Sequence, residues 1–245
     1  MVIDMEKKSK LPLLLPLRSI IFLLIFLAGS AITGKDLPDI ANWWSIAASA
    51  VNILVILLLI FAAKGSGSSY RELICYKKEK RNIKKLILEV FVIMSVGMSG
   101  MYLAGFICYG AMFPAKSLEI VAPVPAALAV INLLVLPLTV PFAEDGLYLG
   151  CGAGQIKNKY AAIAVPAFFY ALQHCFIPTM FDAKYMLYRF ISFLPLTVLL
   201  CWYFRKKKDP VPIMIGHALL DLATAAMIFG TSVIPGFFDK MEGML

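Results

Sequence analysis

Residues 120–150 read IVAPVPAALAVINLLVLPLTVPFAEDGLYLG. Nothing between Ile120 and Ala143 is charged, and then two carboxylates, Glu144 and Asp145, stand side by side. As a helix, the uncharged part is long enough to cross a bilayer, which takes about 20 residues. An ionised carboxylate in or near hydrocarbon is costly, so one that is kept there points to a task or a partner. The candidate partners lie downstream. His174 and His217 are the only two histidines of the chain, and both sit in apolar segments. Asp221 follows His217 by one helical turn. The expectation is that Glu144, Asp145, His174, His217 and Asp221 form one polar cluster buried in a helical membrane protein.

The whole chain agrees with that class. Apolar residues make up 61% of the 245, charged residues 16%, and the mean hydropathy is +0.84. Several uncharged runs approach the length of a membrane-spanning helix. The fold class expected is an all-α polytopic membrane protein of about seven helices, a single integral-membrane domain over 1–245. The net charge of +8 does not point to nucleic acid, because the basic residues cluster in short stretches between apolar runs. The five cysteines show no paired spacing, and free thiols are expected rather than disulfides or a zinc knuckle. No small-x-small site after the first apolar run marks a cleavable signal peptide.

Going outward from the acidic pair, the spans are expected at about Ser19–Gly34, Ile40–Ala63, Val90–Phe113, Ile120 through the acidic pair, Ala161–Met180, Phe190–Phe204 and Pro210–Phe229. Arg18 is expected to snorkel if the first helix begins nearer Leu11. Residues 64–89 form a basic cytoplasmic loop, with room for an amphipathic surface helix that touches anionic lipid. Gly97, Ser99, Gly100 and Gly105 give the third span a small-residue packing face. Pro123, Pro125, Pro137 and Pro141 predict a kink or break before Glu144. With the N-terminus inside, 18 of the 23 Lys and Arg fall in cytoplasmic segments, which sets the sidedness. The localisation expected is integral to a prokaryotic plasma membrane. At about 1.5 Å per residue, His217 lies roughly 12 Å below the Lys208 boundary and His174 roughly 20 Å from Tyr160. Glu144 lies roughly 9 to 15 Å inside the Gly150–Gly154 exit. One cavity open to the cytoplasmic side could contain all three.

Each chemical reading has a plainer one beside it. A carboxylate among apolar walls is suited to general-base work, unless the fourth span ends before Glu144 and both acids are solvated at the headgroups. A neutral imidazole at His174 could help to polarise a water; it could also be a packing residue. His217 and Asp221, spaced i, i+4, share a helix face and could bind an oxyanion, or simply bond neighbouring helices. Two histidines and three carboxylates could hold zinc, but there is no His-Glu-x-x-His helix and the ligands would come from three spans, so no cofactor is assigned. Ser or Cys nucleophilic catalysis has little support, because Cys175 and His174 are sequence neighbours that point apart on a helix. An ion-coupled transporter is disfavoured because no inverted repeat is visible.

Three short stretches carry a resemblance. Glu-Asp-Gly-Leu-Tyr-Leu-Gly at 144–150, Tyr-Ala-Leu-Gln-His at 170–174 and His-Ala-Leu-Leu-Asp at 217–221 resemble the three motifs of the CPBP family. That family comprises the CAAX prenyl endopeptidases and the bacteriocin-processing or immunity proteins called Abi. Its pattern is Glu-Glu-x-x-x-Arg, Phe-x-x-x-His and His-x-x-x-Asn or a variant. Order and spacing match within Val140–Ala225, inside a motif-bearing core of 120–229. Here the second Glu is Asp145, the motif Arg is Leu149, the Phe is Tyr170 and the Asn is Asp221.

The resemblance implies an intramembrane glutamate-type endopeptidase. Glu144 with His174 would activate water, and His217 with Asp221 would stabilise the oxyanion. Asp145, Tyr170 and Tyr148 would support them. The substrate implied is a peptide or lipid-anchored protein cleaved near the cytoplasmic face, with the lipid bilayer as the other partner and no nucleic acid. The alternative is a non-catalytic relative acting in peptide binding, immunity or regulation. Leu149 leaves the acidic pair without a cation nearby in sequence.

Overall fold

The structure is a computed structural model that describes residues 10–178 and 182–244. Among these residues there is no strand. Seven main helices follow in order: α1 Leu17–Thr33, α2 Trp44–Gly65, α3 Ile83–Tyr109, α4 Ala126–Val140, α5 Ala161–Gln173, α6 Ala183–Lys207 and α7 Val211–Val233. A 3-10 turn Leu11–Leu14 leads into α1. α4 runs on without interruption into a π-helical segment, Pro141–Ala153. Six of these units are long and apolar enough to cross a membrane. The seventh expected span is a shorter apolar helix, α5 with its 3-10 turn His174–Phe176. Its expected end at Met180, and Phe181 where the next loop was expected to begin, lie outside the described residues.

The loops follow from local sequence. Asn82 caps α3, accepting from the amides of Lys84 and Lys85, so this helix begins at Ile83 instead of the expected Val90. The expected surface helix of the basic loop is one turn, Tyr70–Leu73, fixed by a capping box between Ser69 and Glu72. Arg81 then ties the loop to Asp209, ahead of α7, at 2.9 Å. Basic residues gather at the end of the bundle formed by loops 64–82, 154–160 and 207–210, hereafter the basic end.

Small residues set the helix packing. α3 lies against α6 and α7. A Cβ at Gly100 would overlap the Ser192 carbonyl and one at Gly97 would stand 3.0 Å from Leu220, so these two glycines of the expected small-residue face make the helix contact, whereas Ser99 is exposed and Gly105 meets the loop at Ala111 and Met112. α5 packs on α6, and α4 packs between α2 and α7. The π-helical segment touches α2, α5, α6 and α7 and is the centre of the bundle. All five cysteines are free thiols.

Candidate active site

The site is built on the π-helical segment. Pro137 and Pro141 have no amide hydrogen, so the α-helical ladder lacks two donors where α4 approaches the acids. Past Pro141 the chain takes the wider i→i+5 winding instead of breaking. Such windings are rare, normally one turn long, and concentrate at functional sites. This one runs for 13 residues. Its bulk fits the centre because glycines face the neighbours. A Cβ at Gly146 would lie 2.7 Å from Tyr70 Oη, one at Gly150 2.9 Å from Leu73 Cγ, and one at Gly152 2.6 Å from Pro166 Cβ.

Glu144 and Asp145 are 3% and 1% exposed, which overturns the plainer reading of two solvated headgroup acids. The helix continues beyond them, so they have nowhere to emerge. They look in different directions and hold different partners. Glu144 Oε1 accepts from Arg18 Nη2 at 2.7 Å, and Oε2 accepts from Gln173 Nε2 at 2.7 Å. Oε2 also stands 3.9 Å from His174 Nε2 and 3.8 Å from His217 Nε2. Asp145 Oδ1 accepts from Tyr170 Oη at 2.9 Å, and Oδ2 lies 3.4 Å from His217 Nδ1.

These contacts set the hydrogens around His217. Tyr170 gives its single proton to Asp145, so the phenol oxygen 3.0 Å from His217 Nδ1 acts there as acceptor. Nδ1 therefore carries a hydrogen. Nε2 faces Asp221 Oδ2 at 3.4 Å and Glu144 Oε2 at 3.8 Å, without a direct hydrogen bond to either. His217 is thus seated between carboxylates from two helices. His174 sits in the 3-10 turn ending α5, its ring stacked on Phe193 with centroids 3.5 Å apart. Tyr148 stacks on Tyr170 at 4.4 Å and donates to Gln173 Oε1 at 3.1 Å, so it reaches Asp145 through Tyr170 and Glu144 through Gln173.

Four polar residues of the site escaped the sequence reading. Arg18 is the chief one. It is fully buried, not snorkelling: α1 starts before it, and its side chain enters the bundle instead of the headgroups. Besides Glu144, it donates to Gln173 Oε1 and Asn52 Oδ1, each at 2.6 Å. Asn52 is fixed in turn by donation to Thr139 at 3.1 Å. Gln173 adjoins His174 in sequence, and Asn52 is a polar residue inside an apolar span; both signals were available. Arg189 donates through Nε to the His174 carbonyl at 3.4 Å and lies over the Phe193 ring at 4.8 Å.

Glu144, His174, Asp221 and Arg189 line a cavity of about 70 Å³. That is room for about two waters, each needing roughly 30 Å³. His174 Nε2 and Asp221 Oδ2 are buried without a hydrogen-bond partner. Orphaned buried atoms of this kind normally have ordered water as their partner. The remaining walls include Trp44, Ile120 and Ile177, which belong to the end opposite the basic one. The expected opening on the basic side is therefore not found: the π-helical segment and Tyr70, whose Oη donates to Phe142 O at 2.6 Å, fill that side. A separate apolar cleft of about 620 Å³ lies in the basic half between α2, α4 and α7. Pro141 and Ala218 line it, so it runs on the other side of the α4–α7 seam from the cavity. Among the described residues, no group of three or more His, Cys, Asp or Glu side chains has an arrangement that could hold a metal ion.

Residues 126–223 match the family model of the Rce1-like type II CAAX prenyl endopeptidases. The Rce1-like segment holds all seven site residues read from the sequence, Glu144 through Asp221, and bears out the resemblance. Arg18 and Asn52 lie outside it. An Rce1-like segment implies a CAAX-type intramembrane protease acting on a peptide or protein. No curated protein and no solved structure matches the chain.

Proposed function

We propose that the protein is a glutamate-type intramembrane endopeptidase that cleaves a peptide or lipid-anchored protein near the cytoplasmic face. The observation that carries this reading is Glu144 Oε2, which stands 3.9 Å from His174 Nε2 and 3.8 Å from His217 Nε2 beside a cavity of about 70 Å³ lined by Glu144, His174 and Asp221. Such gaps are too long for direct hydrogen bonds and invite a water between the groups. Glu144 takes a proton from that water while His174 Nε2 holds it, and the water oxygen bonds to the scissile carbonyl carbon. The developing oxyanion accepts from His217 Nε2, whose ring is held by Asp145 and Asp221. On collapse the C–N bond breaks and the proton passes from Glu144 to the leaving amine. The apolar cleft beside the α4–α7 seam suits an apolar or lipid-bearing part of the substrate.

The test is turnover of a fluorogenic peptide with a prenylated cysteine upstream of its cleavage site, and of its unprenylated twin, by purified protein in liposomes. Cleavage that Glu144→Gln and His174→Ala each reduce at least about a hundredfold supports the reading. Cleavage unchanged in both variants contradicts it.

One observation favours a second reading, a non-catalytic relative that binds peptides in immunity or regulation: both oxygens of Glu144 already hold bonds, to Arg18 and Gln173. That reading predicts peptide binding that survives Glu144→Gln, with no product from any peptide.

A further inference from the structure

Arg18 enters the site from α1, outside the matched segment 126–223, and each of its three guanidinium nitrogens donates a hydrogen bond. Each of its three nitrogens has one oxygen: Gln173 Oε1 for Nε, Asn52 Oδ1 for Nη1 and Glu144 Oε1 for Nη2. Gln173 also bonds the other oxygen of Glu144, so cation, amide and carboxylate close a ring of hydrogen bonds. Within this ring both oxygens of Glu144 are held by a hydrogen bond. Oε1 is turned away to Arg18, and Oε2 keeps one direction free, toward His174 and His217.

The surroundings make the cation matter. Three carboxylates crowd around His217: Glu144 and Asp145, which are buried, and Asp221, whose side chain is partly exposed. A buried carboxylate deprived of its cation takes up a proton instead of staying charged. We propose that Arg18 is a positioning residue for Glu144: it keeps that carboxylate ionised and aims Oε2 at the two imidazoles, so that the working site is the matched segment together with α1 and α2. The kinetic half of this inference rests on the hydrolytic reading above; the half concerning the charge of Glu144 does not.

The experiment compares wild type, Arg18→Lys and Arg18→Met, each with and without Glu144→Gln, in lipid nanodiscs. Infrared spectra report the carboxyl stretch, and the prenylated fluorogenic peptide reports kcat and KM. The expected result is a protonated-carboxyl band in Arg18→Met that disappears when Glu144→Gln is added, while wild type and Arg18→Lys show no band that Glu144→Gln removes. Kinetically, Arg18→Met loses about a hundredfold in kcat with KM changed less than about threefold, and Arg18→Lys recovers a large part of the loss. A folded Arg18→Met that lacks the band, or that turns over at the wild-type kcat, overturns the proposal. Should Arg18→Met not fold, Arg18→Lys decides: lowered kcat at an unchanged KM supports it, and wild-type kcat overturns it. A wild type inert toward the peptide overturns the hydrolytic reading instead, and the infrared comparison alone then decides on Arg18.

Discussion

Two adjacent acids do different work because their neighbours differ. Glu144 faces the cavity and Arg18; Asp145 faces Tyr170 and the inner nitrogen of His217. Asp221 sits where the family pattern has an asparagine, and its position against His217 Nε2 gives a direct prediction. Asp221→Asn supplies an amide hydrogen next to the oxyanion while Asp145 still holds the ring, so turnover stays within about threefold of wild type or rises. Asp221→Ala leaves Nε2 without that neighbour and lowers kcat about ten- to a hundredfold. Steady-state kinetics on the two variants separates the cases. The motif residues were legible because ionisable groups are scarce in apolar runs and each one stands out. Arg18 was not, because a lone arginine near a helix start looks the same whether its side chain turns out to headgroups or in to a carboxylate 126 residues away.

At the scale of the element, the π-helical segment decides the site. The four prolines between Ile120 and Glu144 correctly marked a disturbance, but the expected kink is a change of winding. The sequence could not distinguish these, because a missing donor ends a ladder in either case and the outcome depends on what the neighbours allow. Here glycines let the wide segment be surrounded. Gly152→Ala puts a Cβ 2.6 Å from Pro166 Cβ, both on helix bodies, and is expected to destabilise the protein by about 1–3 kcal/mol. Gly65→Ala at the end of α2 meets open space and is expected to stay within about 0.5 kcal/mol. Thermal unfolding in detergent compares the two, and equal midpoints would contradict the packing account. Arg18→Met, by breaking a buried ion pair and leaving Asn52 and Gln173 without their donor, is expected to cost about 3–5 kcal/mol in the same assay.

At the scale of the molecule, helices and order were readable from hydropathy alone, since spans must be apolar and long. The depth argument placed the acids and imidazoles close together, and they are. It failed on the opening, because depth along separate helices says nothing about which side the loops and the π-helical segment seal. The basic end carries loops 64–82 and 207–210 and is expected to face the cytoplasm. In a cysteine-free background, Lys116→Cys should react with an impermeant thiol reagent added outside intact cells and Lys78→Cys should not; the reverse pattern would invert the topology. The central claim is that Glu144 delivers a water oxygen to a peptide carbonyl. Its most direct measurement is cleavage of the prenylated peptide in ¹⁸O-labelled water, with the product read by mass spectrometry. The account predicts one heavy oxygen in the new C-terminal carboxylate from wild type and no product from Glu144→Gln. Product of the same mass and amount from both proteins would contradict it.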